Sequence, residues 1–298
     1  MNERRAVLIY NPKAGRGGDP ARPVEAFRAA ARAGGVEVEA RATAGPNDAA
    51  RIAAEAARAG ATDVIARGGD GTVHEAIQGL VGAGARLLVW PAGTANVLAR
   101  QLNLPRGAEA AARVLAEGRA RRITLGAATN ELTDERRYFF MLAGVGLDAS
   151  VVRNVRPRLK RRVGQAAFWY AGLAHLAHWV PREFTVEIGE ERLTATYAAV
   201  GKAPWYGGGL AITPRARLDD EEFEVCIIDT HSRLRYLRLL GHAMRGGAPE
   251  EGTTGLTFRR AARLRCVGDV AVQADGELIG ELPMTFEVVK EGLEVIVP

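Results

Sequence analysis

The sequence predicts an α/β N-terminal domain with an open, mostly parallel sheet, followed by a second, mostly antiparallel β domain. Three observations carry this. Strand-like and helix-like segments alternate up to the basic stretch Arg119-Ala120-Arg121-Arg122. Beyond that stretch the texture changes to β-branched and aromatic runs bounded by turn residues. At 298 residues the chain is long enough for two cores, because one domain usually takes about 100–200 residues. The division implied is 1–122 and 123–292, with the last strand, 293–298, returning to the first domain.

In order, residues 5–10 read as a buried strand, and Asn11-Pro12-Lys13-Ala14-Gly15-Arg16-Gly17-Gly18 as a glycine-rich loop with two cations. Helix 23–32, strand 36–41, a turn at 43–47 and an alanine-rich helix 48–58 ending near Gly60 follow. The next stretch, 63–77, organises the chain. Val64 and Ile65 start a strand, Gly68-Gly69-Asp70-Gly71 turns, and Thr72-Val73-His74-Glu75 reads as a capping box opening a helix with Val73, Ile77 and Leu80 on one face. Glycines permit positive φ, so several N–H groups can face one anion at a helix N-terminus. Asp70 would repel a bare anion and makes sense with a divalent cation between them. Strand 86–90, the loop Pro91-Ala92-Gly93-Thr94-Ala95-Asn96 and a short helix 97–102 repeat the pattern. In an open parallel sheet, ligands bind beyond the carboxyl ends of the strands, and the loops at 11–18, 43–47, 68–72 and 91–96 all lie there.

After a helix at 108–117, strands are expected at 123–128, 138–143, 183–188, 192–200, 222–228, 264–267, 270–274 and 284–289, with helices at 165–179 and 234–244. The net charge of +5 mildly favours an anionic ligand or surface and does not imply nucleic acid. Cys226 and Cys266, far apart and without a CxxC partner, suggest neither a disulfide framework nor zinc, and fit a reducing cytoplasm. The apolar run Ala6–Tyr10 has the length of a strand and is too short for a signal-peptide core.

A Walker A loop is absent, since Gly201-Lys202 is followed by Ala203. Gly144-Val145-Gly146-Leu147-Asp148-Ala149 imitates a dinucleotide fingerprint, but no acid lies between Asp148 and Glu183, which leaves a close turn as the simpler reading. No Gly-x-Ser-x-Gly elbow is present. His175 and His178 lack nearby ligand partners for zinc.

Gly68-Gly69-Asp70-Gly71-Thr72, with Asn11-Pro12-x-x-Gly15 before it and Pro91-x-Gly93-Thr94-x-Asn96 after it, resembles the diacylglycerol kinase catalytic-domain family, which includes bacterial soluble lipid kinases and sphingosine and ceramide kinases. Tyr206-Gly207-Gly208-Gly209, Pro214, Asp219-Asp220 and Asp275-Gly276-Glu277 fall in the family's order, so the resemblance covers nearly the whole chain. It implies an ATP-binding α/β domain, a β-sandwich domain covering a lipid substrate, and a catalytic cleft between them. Asn11, Pro12, Lys13, Ala14, Gly15, Thr43, Gly68, Gly69, Asp70, Gly71, Thr72, Val73, His74, Thr94 and Asn96 would line the nucleotide. Asp275 or Glu277 would be the base, and a structural magnesium would sit on Asp220 with the backbone oxygens of Arg217 and Glu222. Two departures stand out. Glu221 replaces the family's usual glycine, and Val97 replaces a common aspartate.

The residues admit plainer roles beside these. An Asp-Gly pair between strands is first a hairpin turn. Asp219-Asp220-Glu221-Glu222 also reads as a solvated acidic loop, and Thr94 and Asn96 as caps of the next helix. His74 reads as a solvent-side helix residue near the phosphates. Lys13, Arg16 and Arg100 are candidate phosphate cations. In 153–180 a basic run without an acid precedes an apolar helix bearing Trp169 and Tyr170, which fits peripheral contact with an anionic membrane face or a helix packed on the β domain. The function expected is a magnesium- and ATP-dependent lipid kinase acting on a diacylglycerol-like, phosphatidylglycerol or sphingoid acceptor. NAD kinase, which shares only the GGDGT stretch, and a non-catalytic lipid- or nucleotide-binding regulator are the alternatives.

Overall fold

A computed structural model describes residues 4–15, 19–154, 175–176, 178–206, 209–246 and 255–298. The basic run 156–162 and most of the apolar helix expected at 165–179 lie outside these residues. The chain forms two units, Met1–Ile123 with Glu291–Pro298, and Thr124–Lys290.

In the first unit, β1 (Arg5–Tyr10), β2 (Glu37–Ala42), β3 (Asp63–Gly68) and β4 (Arg86–Pro91) form a parallel sheet in the order β2-β1-β3-β4. The C-terminal end of β16 (Met284–Val297) joins it beside β4, parallel, with Val295 opposite Leu87. The helices are α1 (Ala21–Ala33), α2 (Asp48–Arg58), α3 (Asp70–Leu80), α4 (Val97–Gln101) and α5 (Ala108–Glu117). β3 is buried along its whole length, the pattern of a central strand covered on both faces. At its amino end the carboxylate of Asp63, 0% exposed, is paired with Arg4 at 3.2 Å and Arg86 at 2.6 Å. Strand order reverses between β1 and β3, so the crevice at their carboxyl ends is the topological switch point where ligands of such sheets bind.

The second unit pairs two antiparallel sheets. One runs β12 (Leu256–Ala261), β11 (Phe223–Ile228), β10 (Tyr197–Gly201), β7 (Leu142–Val145), β14 (Ala271–Ala274), β15 (Glu277–Glu281). The other contains the start of β16, β13 (Arg263–Val267), β8 (Phe184–Ile188) and β9 (Glu191–Ala195), with β5 (Arg119–Asn130) and β6 (Arg136–Phe139) attached through β16. One core packs them together: Phe139, Val186, Leu264 and Phe286 from one sheet meet Val200, Phe223, Val225 and Val272 from the other. Among the described residues this unit also contains helices α6 (Leu147–Asn154) and α7 (Arg233–Met244).

Several expectations need correction. The basic stretch 119–122, where no strand is expected, is the start of β5, so that strand begins four residues before the expected Ile123. The strand expected at 138–143 is two strands in different sheets, β6 and β7, and 192–200 likewise divides into β9 and β10. The second break falls at Thr196, whose hydroxyl bonds the carbonyls of Ile228 and Thr230 and the Tyr236 hydroxyl. Strands β12 and β15 were not anticipated.

Candidate functional site

The loops after β1, β3 and β4 are held together by short backbone bonds. Asn11 N–H donates to the carbonyl of Arg67 at 3.0 Å, while Ala92 and Gly93 N–H both donate to the carbonyl of Gly68, at 2.8 and 3.1 Å. Asn11 also accepts from Lys13 N–H at 2.9 Å through its side chain, closing the first loop, and Thr43 N–H donates to Tyr10 O. The glycines at 68 and 69 are not there for positive φ, which appears in this region at Gly15 (+113°). Gly68 has no room for a side chain, since a Cβ there would lie 2.3 Å from Thr72 Oγ1; at Gly69 the crowding comes from Gly93, where a Cβ would lie 2.6 Å from the Cα of Gly69. Gly15 has open space around it.

Helix α3 begins at Asp70, two residues before the expected capping box. Thr72 is therefore inside the first turn, and Glu75 caps a different helix, accepting from Ala49 N–H of α2 at 3.1 Å. The box fails because Glu75 faces α2 across the helix pair. The early start leaves the first-turn N–H groups of Asp70, Gly71 and Thr72 without partners inside the helix, as at any helix N-terminus, and a helix dipole there favours an anion. His74 is corrected too: it is 3% exposed, inside α3 and next to Gln78, not on the solvent side.

Asp70 has a role that needs no cation. Its two carboxylate oxygens accept from Asn96 N–H at 3.0 Å and Val97 N–H at 2.7 Å, capping α4 from another loop. Asn96, at φ +48°, accepts from Gly93 N–H and donates to Gly93 O, which folds the 93–96 turn rather than capping α4 itself. Thr94 is exposed in that turn. Asn11, Thr43, Gly68, Asp70 and Asn96 are thus tied by these bonds at the carboxyl ends of β1, β3 and β4, with Gly15 and Thr94 in the same loops and Gly71–His74 in the first turns of α3.

Arg67 is a residue that sequence reasoning missed. It is 8% exposed, its guanidinium lies 4.9 Å from the centre of the Trp90 ring, and Trp90 stacks on Phe27 of α1. Burial pushes its pKa down, and its Nε and Nη1 are buried without a partner. A cation held this way next to Gly68 adds fixed positive charge to the loop edge.

In the second unit, Asp275 sits in the β14–β15 turn at φ +49° and 9% exposed. Its carboxylate accepts from three successive backbone N–H groups, Phe140 at 2.9 Å, Met141 at 3.0 Å and Leu142 at 3.1 Å. These N–H groups lie where β6 gives way to β7, so Asp275 also explains that strand break. Glu277 is exposed on β15. Arg217, Asp220 and Glu222 lie in the β10–β11 connection, with the Asp220 carboxylate 2.9 Å from Arg260.

The same unit contains an apolar cavity of about 110 Å³. Leu210, Ile228, Leu239, Leu256 and Phe258 line it, with Asp148 and Tyr197 as polar members. Asp148 accepts from Tyr197 Oη at 3.1 Å. Its remaining exposure is intermediate, yet protein surrounds it, and burial pushes its pKa up to about 6, with the Tyr197 hydrogen bond opposing. The glycines of the dinucleotide-like stretch serve close approach: a Cβ on Gly144 would lie 2.6 Å from Asp148 Oδ2. A raised carboxyl pKa makes folding less favourable as pH climbs. Below about pH 4 both states hold the proton; from there to about pH 6 only the unfolded chain releases it. Asp148→Asn removes this slope and is expected to gain on the order of 2 kcal/mol over the native chain at pH 7. Urea unfolding at pH 4 and pH 7 checks it; parallel losses in both proteins would contradict it.

Glycine loops gathered at the switch point of a parallel sheet, followed by an antiparallel sandwich, fit a two-unit protein of the diacylglycerol kinase class. Comparison with known proteins agrees. Residues 5–128 match the diacylglycerol kinase catalytic domain, and residues 142–297 match the YegS C-terminal NAD kinase beta sandwich-like domain. A diacylglycerol kinase of Mycobacterium tuberculosis is 32% identical over 256 residues, covering 85% of this chain and 82% of the relative. A probable lipid kinase YegS-like protein of Pseudomonas aeruginosa is 32% identical over 282 residues, covering 92% and 89%. A diacylglycerol kinase crystal structure from Bacillus anthracis superposes with a TM-score of 0.79 at 20% identity, covering 100% of this chain and 98% of that one, a likeness of fold. The chain belongs to the diacylglycerol and YegS-like lipid kinase family.

Proposed function

We propose that the chain is an ATP- and magnesium-dependent kinase that transfers the γ-phosphate of ATP to a hydroxyl of a lipid. The observation that carries the lipid half is the apolar cavity of the second unit, which suits a hydrocarbon segment better than the polar second nucleotide of an NAD kinase reaction. ATP with magnesium supplies the phosphoryl group and neutralises part of its charge. The chain's own part is positioning. First-turn N–H groups of α3 and the 11–15 and 91–96 loops hold the phosphates, with Lys13, Arg67 and Arg100 adding positive charge. Asp275 accepts the proton of the lipid hydroxyl as transfer proceeds, with Glu277 the second candidate. Asp148 and Tyr197 orient the polar end of the chain entering the cavity.

Contact with the lipid surface is assigned to α7. Leu234, Leu237 and Met244 form an exposed stripe on it, while Tyr236, Leu239 and Ala243 face inward. Arg233, Arg235 and Arg238 flank the stripe and the helix carries no acid, which suits an anionic leaflet. Among the described residues no helix is long and apolar enough to cross a membrane.

The test is label transfer from γ-labelled ATP with magnesium to diacylglycerol, phosphatidylglycerol, a sphingoid base or NAD, in separate reactions, the lipids in vesicles with and without anionic lipid. Label in a lipid, faster on anionic vesicles, is expected. Label in NAD alone supports the NAD kinase reading, and nucleotide binding without any labelled acceptor supports a regulator.

A further inference from the structure

The family resemblance places a magnesium ion on the β10–β11 connection, held by Asp220 with the carbonyls of Arg217 and Glu222. The donors found there do not fit one. The Asp220 carboxylate faces Arg260 Nη2 at 2.9 Å, and Arg217 Nε stands 4.0 Å from its other oxygen. Arg260 Nε also reaches Glu222 at 3.3 Å. The Arg217 carbonyl accepts Asp220 N–H at 3.2 Å. Glu221, where the family usually has glycine, is turned to Lys290 at 2.5 Å. Among the described residues no cluster of three or more histidine, cysteine or acidic side chains is arranged to hold a metal.

Lys202, just after β10, stands where the loop's carbonyls converge. It is 0% exposed, and its Nζ donates to the carbonyl of Asp220 at 2.5 Å. The Thr124 hydroxyl is within 2.7 Å of the same carbonyl and 3.0 Å of Leu218 O, and Thr124 N–H donates to Leu218 O at 2.8 Å. Magnesium requires about six oxygens in near-octahedral array. Here an ammonium and a guanidinium already hold the backbone and side-chain oxygens of Asp220, and a divalent ion placed among them would meet like charge on two sides.

We infer that Lys202 and Arg260 take the place of a structural divalent cation, fixing the 217–222 connection with charges that belong to the chain itself. The fold of the second unit is then independent of magnesium, whatever the nucleotide requires. Thermal melts of the nucleotide-free protein test this, after EDTA and then with millimolar magnesium chloride at matched ionic strength. The two melting temperatures are expected to agree within about 1 °C, as for an ion with no site on the native state. A rise of several degrees with magnesium that Asp220→Asn abolishes would overturn the inference. Lys202→Met, which keeps the length and loses the ammonium, is expected to melt roughly 5 °C lower with or without magnesium; a melt equal to wild type would also overturn it. Should that variant fail to fold, the wild-type magnesium titration still decides.

Discussion

Asp275→Asn is expected to lower kcat for lipid phosphorylation by about 10²- to 10⁴-fold, the usual worth of a general base, while KM for ATP stays near its native value. The asparagine keeps one oxygen for the Met141 and Leu142 N–H groups and turns its amide toward Phe140 N–H, a cost of about 1–2 kcal/mol that leaves the variant folded. Asp275→Ala keeps none. It leaves three N–H groups at a strand break without their acceptor and is expected to cost on the order of 3 kcal/mol of stability as well. The pair of variants separates the two roles of one carboxylate. Stability lost in the alanine variant with turnover intact in the asparagine variant would make Asp275 structural and pass the base to Glu277, which is exposed on the neighbouring strand. Steady-state kinetics with urea unfolding of both variants reads this directly.

Asp70→Asn is expected to raise KM for ATP at least about tenfold and to lower stability by about 2 kcal/mol. The carboxylate accepts two N–H groups, from Asn96 and Val97, and an amide can accept only on its oxygen while turning its own N–H groups toward a donor. The 91–96 loop would lose its side-chain tie to α3 and keep only the backbone bonds of Ala92 and Gly93 to Gly68 beside the crowded approach of Gly93 to Gly69. Native KM and an unchanged unfolding midpoint in this variant would show that the loop edge is set by the glycine contacts alone.

Much of the first unit could be read from its residues because its determinants are local. The α2 boundaries follow from an alanine-rich run with Asp48 at its start and Gly60 beyond its end, and the observed helix spans Asp48–Arg58. The loops that gather at the switch point were readable for the same reason: each follows a strand. What could not be read is long-range. Glu75 matched a capping box by spacing, yet its acceptor capacity went to α2, a choice that only packing makes. The run Tyr138–Ala143 has one continuous strand pattern, and its break is imposed by a carboxylate more than 130 positions further along. Asp148 looked like part of a failed dinucleotide motif; its place in an apolar cavity depends on α7 and β10–β12, none of which is near it in sequence. Lys202 has no role legible in its local sequence, because its partner Asp220 and the carbonyl-binding Thr124 come from two other segments.

Transfer of the γ-phosphoryl group to a lipid is tested with ATP labelled at either the α- or the γ-phosphate in otherwise identical reactions with vesicles and magnesium, followed by organic extraction. Label should enter the lipid phase from γ-labelled ATP only. Label entering from the α-position, or none entering while ADP accumulates, would contradict the claim, the first pointing to nucleotidyl transfer and the second to hydrolysis without a lipid acceptor.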